Sequence, residues 1–226
     1  MDKHRTAIRT TFWTVLVLGS ALLGVGLAAW DLDSHTKKFM IGGWLLLMVL
    51  AVIAIDLLWY RELGKKVEAL RPVLTEDPGR YIQEIRALLE GKRSPQLRSV
   101  LLVNLSAAYQ EKEDYQTARD LLLSVNPKKL AGINRAVYWA DLALAYFHLG
   151  EDAQALEILA AQESSFSKLT ETSVLGSLLA ILSVFQKLAL GDRAGAKHRL
   201  DEVRPRWEEA HNAREFKDLA RRCQET

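Results

Sequence analysis

The chain has 226 residues, with 30 lysines and arginines against 28 aspartates and glutamates, and a single cysteine near its C-terminus. This length fits one folded domain with an appendage, and one cysteine excludes an intrachain disulfide or a cysteine-based metal cluster. After Leu74 the chain carries 21 basic and 22 acidic residues, and such balanced charge argues against nucleic-acid binding, which needs a concentrated positive field.

Two long apolar runs occupy the first sixty residues. The first extends from Phe12 to Trp30 without a charged residue, and the second, from Phe39 to Tyr60, is interrupted only by Asp56. A helix of roughly twenty residues spans about 30 Å, the thickness of the hydrocarbon core of a bilayer. We therefore predict a transmembrane hairpin over residues 1–60, and the lipid bilayer is the first predicted partner.

Small residues in these runs predict how the two helices meet. Ser20, Gly24 and Ala28 fall on one helix face, and Gly42 and Gly43 open the second run. Because small residues let helix backbones approach closely, we expect a tight hairpin, although the same face could serve self-association into a homo-oligomer. Basic residues before the first run leave a cleavable signal peptide as the alternative for that run.

The flanking lysines and arginines predict the orientation. Three precede the first span, two lie between the spans, and four follow the second span up to Arg71. Because positive flanks stay on the cytoplasmic side, we predict an integral protein of the plasma or inner membrane with both termini and the following domain in the cytoplasm. Residues 61–77 are predicted to form a helical stalk that Pro72 ends or kinks.

The chain after residue 77 alternates helical patterns with short breaks and has no strand pattern of useful length. Two units are related by an offset of 37 residues, and a third follows the second at an offset of 41. The positions that recur are apolar, aromatic or small, and they are Leu105, Tyr109 and Ala118, then Leu142, Tyr146, Gly150 and Ala155, then Gly191 and Ala196.

This pattern resembles the tetratricopeptide repeat. In that family a leucine, a small residue and an aromatic residue mark the first helix of each unit, a glycine-containing turn follows, and a small residue marks the crossing of the second helix. The resemblance implies an all-α fold, in which residues 78–226 form an antiparallel helical-repeat solenoid. Both offsets exceed the roughly 34 residues typical of the family, and Ser183 and Lys187 replace the leucine and the aromatic residue in the third unit.

Further helices are predicted around the repeats. Helices over Tyr81–Leu89 and Trp207–Arg222 would cap the two ends of the stack. The segment Val174–Phe185 is almost entirely apolar, which is typical of a helix covered by neighbours on both sides. A third membrane span is the alternative, but the run is shorter than the roughly 17 residues that a span requires.

If the repeat register holds, the first helix of each unit lines a concave face. That face becomes more apolar toward its C-terminal end, which suits an amphipathic helix or an extended apolar segment of an unidentified protein partner. The alternative is that these side chains are core, because periodicity alone does not separate core from groove. The residues predicted on this face are Val103, Asn104, Ala107, Gln110, Ala140, Asp141, Leu144, Phe147, His148, Ile181 and Phe185.

The sequence offers no motif for catalysis. None of the five histidines stands in a metal-ligand pattern, and no phosphate-binding glycine loop or nucleophile motif occurs. We therefore expect no enzyme activity and no cofactor. The leading hypothesis is a membrane-tethered adaptor, and the alternatives are a structural membrane protein that self-associates through its spans and stalk, or an accessory subunit of a membrane enzyme or transporter.

Overall fold

A computed structural model describes residues 2–29, 33–91, 93–169, 175–209 and 212–224, without the side chains at 2–9, 11, 56 and 59. Within these ranges the chain forms eleven α-helices and one short 3-10 turn and contains no strand. The predicted all-α class is therefore confirmed. The chain divides into an N-terminal unit, Met1–Lys66, and a C-terminal unit, Val67–Thr226.

The N-terminal unit consists of α1, Asp2–Ala29, and most of α2, Ser34–Ala69. Each helix contains an apolar window of 18 residues, none of which is buried in the structure, and each is long and apolar enough to cross a membrane. Trp30, the last residue of the first predicted span, lies outside the described residues. The residues predicted as a stalk divide between the two units, because the boundary between Lys66 and Val67 falls within them. Helix α2 ends at Ala69, before Pro72.

Helices α1 and α2 meet at a tryptophan. The indole Nε1 of Trp44 donates to Ser20 Oγ at 3.1 Å, and its ring lies so close to Gly19 that a side chain there would collide with it. At the glycines expected to lie at the contact, no atom of the partner helix lies within 4 Å of a Cβ position. The prediction that these glycines bring the helices together is therefore wrong, and Trp44 contacts α1 at Gly19 and Ser20 instead. The glycines expected there are Gly24, Gly42 and Gly43.

The C-terminal unit contains nine helices among its described residues. A 3-10 turn, Pro127–Lys129, lies between the sixth and seventh helices of the chain. The helices are α3, Arg71–Glu76; α4, Pro78–Glu90; α5, Pro95–Glu111; α6, Tyr115–Leu123; α7, Ile133–His148; α8, Asp152–Phe166; α9, Gly176–Ala189; α10, Arg193–Trp207; and α11, Ala213–Arg222.

Several of these helices begin at a residue that caps them. The side chains of Asp77, Ser94, Asp114 and Asp192 each accept a hydrogen bond from the backbone N–H three residues later, at 2.8–3.3 Å. Such a bond satisfies one of the four amides that an α-helix leaves without a partner at its N-terminus. Prolines also occupy the first turns of α3, α4 and α5, where the missing N–H costs nothing.

The helices pack in pairs along the chain. Helix α5 packs against α6, α7 against α8, and α9 against α10. Because the members of each pair are joined by a turn of only three residues, they run antiparallel. Successive pairs meet through both of their helices, since α7 contacts α5 and α6 of the pair before it, and α9 contacts α7 and α8. Helix α4 packs against α5.

The turn inside each pair has one residue in the left-handed conformation, at the same position in all three turns. The backbone φ is 60° at Glu113, 73° at Gly150 and 77° at Gly191. In all three turns the N–H of the following residue donates to the carbonyl five residues earlier at 2.9 Å, which is the hydrogen bond of a Schellman helix end. These turns recur at the offsets of 37 and 41 residues found in the sequence, so the sequence repeat is also a repeat of backbone conformation.

Small residues lie where the two helices of a pair meet. Ala118, Ala155 and Ala196 occupy the same position in α6, α8 and α10, and each is 0% exposed. Alanine at this position lets the second helix approach the first closely. Leu105 and Leu142 are buried on the first helices, whereas the corresponding aromatic residues are half-buried at Tyr109 and Tyr146.

The C-terminal end departs from the prediction. The single helix expected over Trp207–Arg222 is wrong, because α10 ends at Trp207 and α11 begins at Ala213. The buried side chain of Asn212 stabilises the break: its Oδ1 accepts from the Glu209 N–H, and its Nδ2 donates to the Trp207 carbonyl, both at 2.8 Å. The apolar helix predicted before it is α9, half of whose residues are buried; its predicted first residue, Val174, lies outside the described residues.

Replacing Glu113 by glycine should stabilise the C-terminal unit. The left-handed conformation costs an ordinary residue ~1–2 kcal/mol, and glycine loses ~0.5–1 kcal/mol more chain entropy than other residues on folding. We therefore expect Glu113→Gly to raise the free energy of unfolding by ~0.5–1 kcal/mol, as measured by urea denaturation. Glu113→Ala keeps the Cβ atom and removes the carboxylate, and it should not produce this gain. Equal stabilities for the two variants would contradict the interpretation.

Candidate functional site

The residues predicted on the concave face do come together, but not as an open groove. Val103, Ala140, Leu144, Phe147, Ile181 and Phe185 belong to one hydrophobic cluster between α5, α7 and α9. Gln110 and Asp141 are buried as well. The three half-buried members of the predicted set are Asn104, Ala107 and His148. The predicted groove is therefore closed in this structure.

The closure is clearest at Phe147. Its ring stacks on that of Phe185, with centroids 5.3 Å apart and planes inclined by 9°, and both side chains are 2% exposed. The guanidinium of Arg222, from α11, lies 5.2 Å from the centroid of the Phe185 ring. The expectation that Phe147 presents an open contact to a partner is therefore wrong. It is a core residue between two successive helix pairs.

Helix α11 covers the C-terminal ends of the first helices instead of only capping the stack. Phe216 and Leu219 are its buried residues, and both belong to the same hydrophobic cluster as Phe147 and Phe185. These two side chains are three positions apart, so they lie on one face of the helix. The apolar surface that was predicted to bind a partner is thus occupied by a helix of the same chain.

A buried carboxylate of α11 forms hydrogen bonds with residues of α6 and α7. Glu215 accepts a hydrogen bond from the Tyr115 hydroxyl at 3.2 Å and another from His148 Nε2 at 2.9 Å. The rings of Tyr115 and His148 are stacked, with centroids 3.9 Å apart and planes inclined by only 2°. Burial alone would raise the pKa of Glu215, but the hydrogen bonds from His148 and Tyr115 and the charges of His148 and Arg214 together lower it.

The preceding residue, Arg214, attaches α11 to the end of α5. Its Nη1 donates to the Glu111 carbonyl at 2.7 Å, and its Nη2 lies 3.4 Å from the Gln110 carbonyl. These carbonyls belong to the last turn of α5, which carries partial negative charge. The Gln110 carbonyl also accepts from the Glu113 N–H at 2.8 Å. Burial raises the pKa of the neighbouring Glu111 carboxyl, although the charge of Arg214 opposes that effect.

The surface that α11 covers, with Gln110, Glu111, Tyr115, His148 and Phe185, is called the α11 contact surface from here on. An open cleft of about 400 Å³ lies beside it. Side chains of both signs line this cleft, so it has no strong preference for an anion or a cation. They are Glu113, Tyr115, His148, Arg214, Glu215, Lys217, Asp218, Arg221 and Arg222.

Asp141 is a second buried acid, in the middle of α7. It is 6% exposed, and its backbone carbonyl accepts a hydrogen bond from Gln110 Nε2 at 2.9 Å. Burial raises the pKa of its carboxyl to about 8. A carboxyl in such surroundings destabilises the folded domain when it is ionised.

Sequence reasoning missed the three side chains that hold α11 in place. Tyr115, Arg214 and Glu215 are polar residues without a motif, and the bonded partners of Glu215 are 67 and 100 residues away. Only the amphipathic pattern of the last helix indicated that it has a face to bury. Helical periodicity predicts that such a face exists but does not identify what covers it.

Within the part of the chain that the structure describes, no group of three histidine, cysteine, aspartate or glutamate side chains is placed to hold a metal ion. Cys223 is a free, half-buried thiol, and burial raises its pKa, which makes it a poorer nucleophile. No protein-family model matches the chain, no curated protein matches it, and no solved structure matches it.

Replacing Asp141 by asparagine should remove a pH-dependent loss of stability. The folded pKa of about 8 lies above the ordinary value of 3.8, so between these values the folded chain binds the extra proton and the free energy of unfolding falls as pH rises. One pKa unit corresponds to about 1.4 kcal/mol. We therefore expect the free energy of unfolding of Asp141→Asn to exceed that of the wild type by at least ~1 kcal/mol at pH 8. This advantage should shrink toward pH 4.

The measurement is urea denaturation of the full chain in detergent at several pH values. Asp152→Asn, at an exposed position of α8, controls for the loss of one negative charge. If the free energies of unfolding of Asp141→Asn and the wild type change with pH in the same way, Asp141 is not the cause of the pH dependence.

Proposed function

We propose that this protein is a membrane-tethered scaffold. In this proposal α1 and α2 cross the membrane as a hairpin, and the C-terminal unit is a tetratricopeptide-like stack that binds another protein on the cytoplasmic side. Catalysis and cofactors are not part of the proposal. The protein would act by holding its partner at the plasma or inner membrane.

The unburied apolar surface of the N-terminal unit supports the membrane anchor. Leu22, Phe39 and Leu58 are representative of many large apolar side chains that are exposed along α1 and α2. Soluble monomers rarely leave a contiguous apolar surface of this size uncovered, whereas a bilayer covers helices of this length. The excess of lysine and arginine on the two outer flanks supports the cytoplasmic orientation.

The regular pairing of helices supports the tetratricopeptide-like assignment of the C-terminal unit. Three antiparallel pairs share a left-handed turn at Glu113, Gly150 and Gly191 and a buried alanine at the crossing of each second helix. A stack of this kind offers a long surface built from several units, which suits protein binding. The fold does not specify the ligand by itself.

The observation that carries the proposal is the position of α11. It is a short amphipathic helix that buries Phe216 and Leu219 and makes specific polar contacts with residues of α5, α6 and α7. A surface that holds one helix by apolar burial and polar contacts has the properties that helix-in-groove recognition requires. Binding a helical segment of another protein is therefore the function that this geometry supports best.

Affinity capture from detergent extracts tests the scaffold function. A tagged full chain should retain a second protein in stoichiometric amounts, whereas a chain that ends at Leu74, with the predicted hairpin and most of the stalk, should lose it. Recovery of self-complexes alone would contradict the scaffold and favour a structural protein that associates through its spans. Equal retention by the shortened chain would assign partner binding to the predicted spans or the stalk instead.

A further inference from the structure

We propose that the α11 contact surface is a docking site for an amphipathic helix of a partner protein, and that α11 is an internal occupant which this helix replaces. The inference rests on the scaffold function proposed above and adds the chemistry of the partner. The partner helix should carry an arginine, then a glutamate, then an aromatic residue, with a leucine three positions after the aromatic residue. In this chain the pattern is Arg214, Glu215, Phe216 and Leu219.

The recognition of the glutamate belongs to the surface and not to α11. Tyr115 and His148 come from two different helix pairs, and their rings stack on each other at 3.9 Å. His148 also meets the ring of Phe185 edge to face, with centroids 5.1 Å apart. Because these ring contacts do not involve α11, the two donors are oriented before a carboxylate arrives. A preorganised donor pair favours a carboxylate on any helix that reaches it.

The recognition of the arginine also uses groups outside α11. The carbonyls of Gln110 and Glu111 end α5 and point at the Arg214 guanidinium, 3.4 and 2.7 Å from its nitrogens. The carboxylates of Glu111 and Glu113 lie 3.6 and 3.7 Å from it. This end of α5 therefore favours a bound helix that has a positively charged residue directly before its buried glutamate.

The attachment of α11 rests on few buried residues. It has ten residues, of which only Phe216 and Leu219 are buried, and a helix of this length is marginal on its own. The side chain of Arg214 is 42% exposed, so water and salt screen its ion pairs. A longer partner helix with the same pattern would bury more apolar surface over the same contacts and could displace α11.

Peptide binding to the full chain tests this inference. The probe is a labelled peptide with the sequence of residues 212–223, added to chains in detergent in which Phe216→Ala has weakened the internal helix. We expect the peptide to bind the Phe216→Ala chain at least tenfold more tightly than the wild type, where α11 competes with it. A peptide with Glu215→Gln should bind at least tenfold more weakly than the parent peptide, because it lacks the buried charge.

A peptide with Lys217→Gln is the matched control. It changes one charge at an exposed position of α11, and it should bind like the parent peptide. Should Phe216→Ala prevent folding, as judged by loss of a cooperative thermal transition, Arg214→Ala opens the same surface without touching the core. That chain should also bind the peptide more tightly than the wild type does.

Three results would overturn the inference. The first is that the peptide binds to neither folded variant, and the second is that the parent and Glu215→Gln peptides bind equally well. The third is that the wild-type chain forms dimers which Phe216→Ala abolishes, because a second copy of the chain would then be the occupant of the surface. If the peptide fails to bind while capture by the full chain still depends on residues after Leu74, the scaffold function stands. That result would contradict only the proposed role of the α11 contact surface as a docking site.

Discussion

The close approach of two helices at an alanine is the constraint on which the C-terminal unit depends. Ala118, Ala155 and Ala196 are fully buried at equivalent crossings, and a larger side chain at such a position would force the helices apart. The approach is possible only if the chain reverses within three residues, which the left-handed turns at Glu113, Gly150 and Gly191 achieve. Crossing and turn together produce a stack in which the first helix of each later pair packs against both helices of the pair before it.

Stacking leaves an apolar surface at the C-terminal ends of the first helices, and α11 covers it. The contact combines two buried apolar side chains with a carboxylate that accepts hydrogen bonds from Tyr115 and His148. A buried carboxylate stays ionised in a protein interior only when such partners compensate for its lost hydration. The polar contacts therefore determine which helix fits this surface, while Phe216 and Leu219 supply the burial. This division of roles connects the packing of the domain with the proposed binding of a partner helix.

The sequence predicts the local features well. The offsets of 37 and 41 residues, the turn at Gly150 and the buried Ala155 follow from patterns repeated along the chain. The position of α11 could not be predicted, since it depends on contacts between residues up to 104 positions apart. The burial of Phe147 has the same origin, because periodicity marks a face as apolar without identifying its cover. In the N-terminal unit, Trp44 contacts α1 at Gly19 and Ser20, and the glycines expected at the contact do not take part in it.

The account depends most on the claim that α11 is held by the contact between Glu215 and His148. A double-mutant cycle with Glu215→Gln and His148→Gln measures it directly, with free energies of unfolding taken from urea denaturation of the full chain in detergent. A hydrogen bond to a charged group contributes about 1.5–3 kcal/mol, so we predict a coupling free energy of at least ~1 kcal/mol. The matched cycle pairs Glu215→Gln with His198→Gln, at an exposed position of α10, and it should give no coupling free energy. A coupling near zero between Glu215 and His148 would contradict the placement of α11.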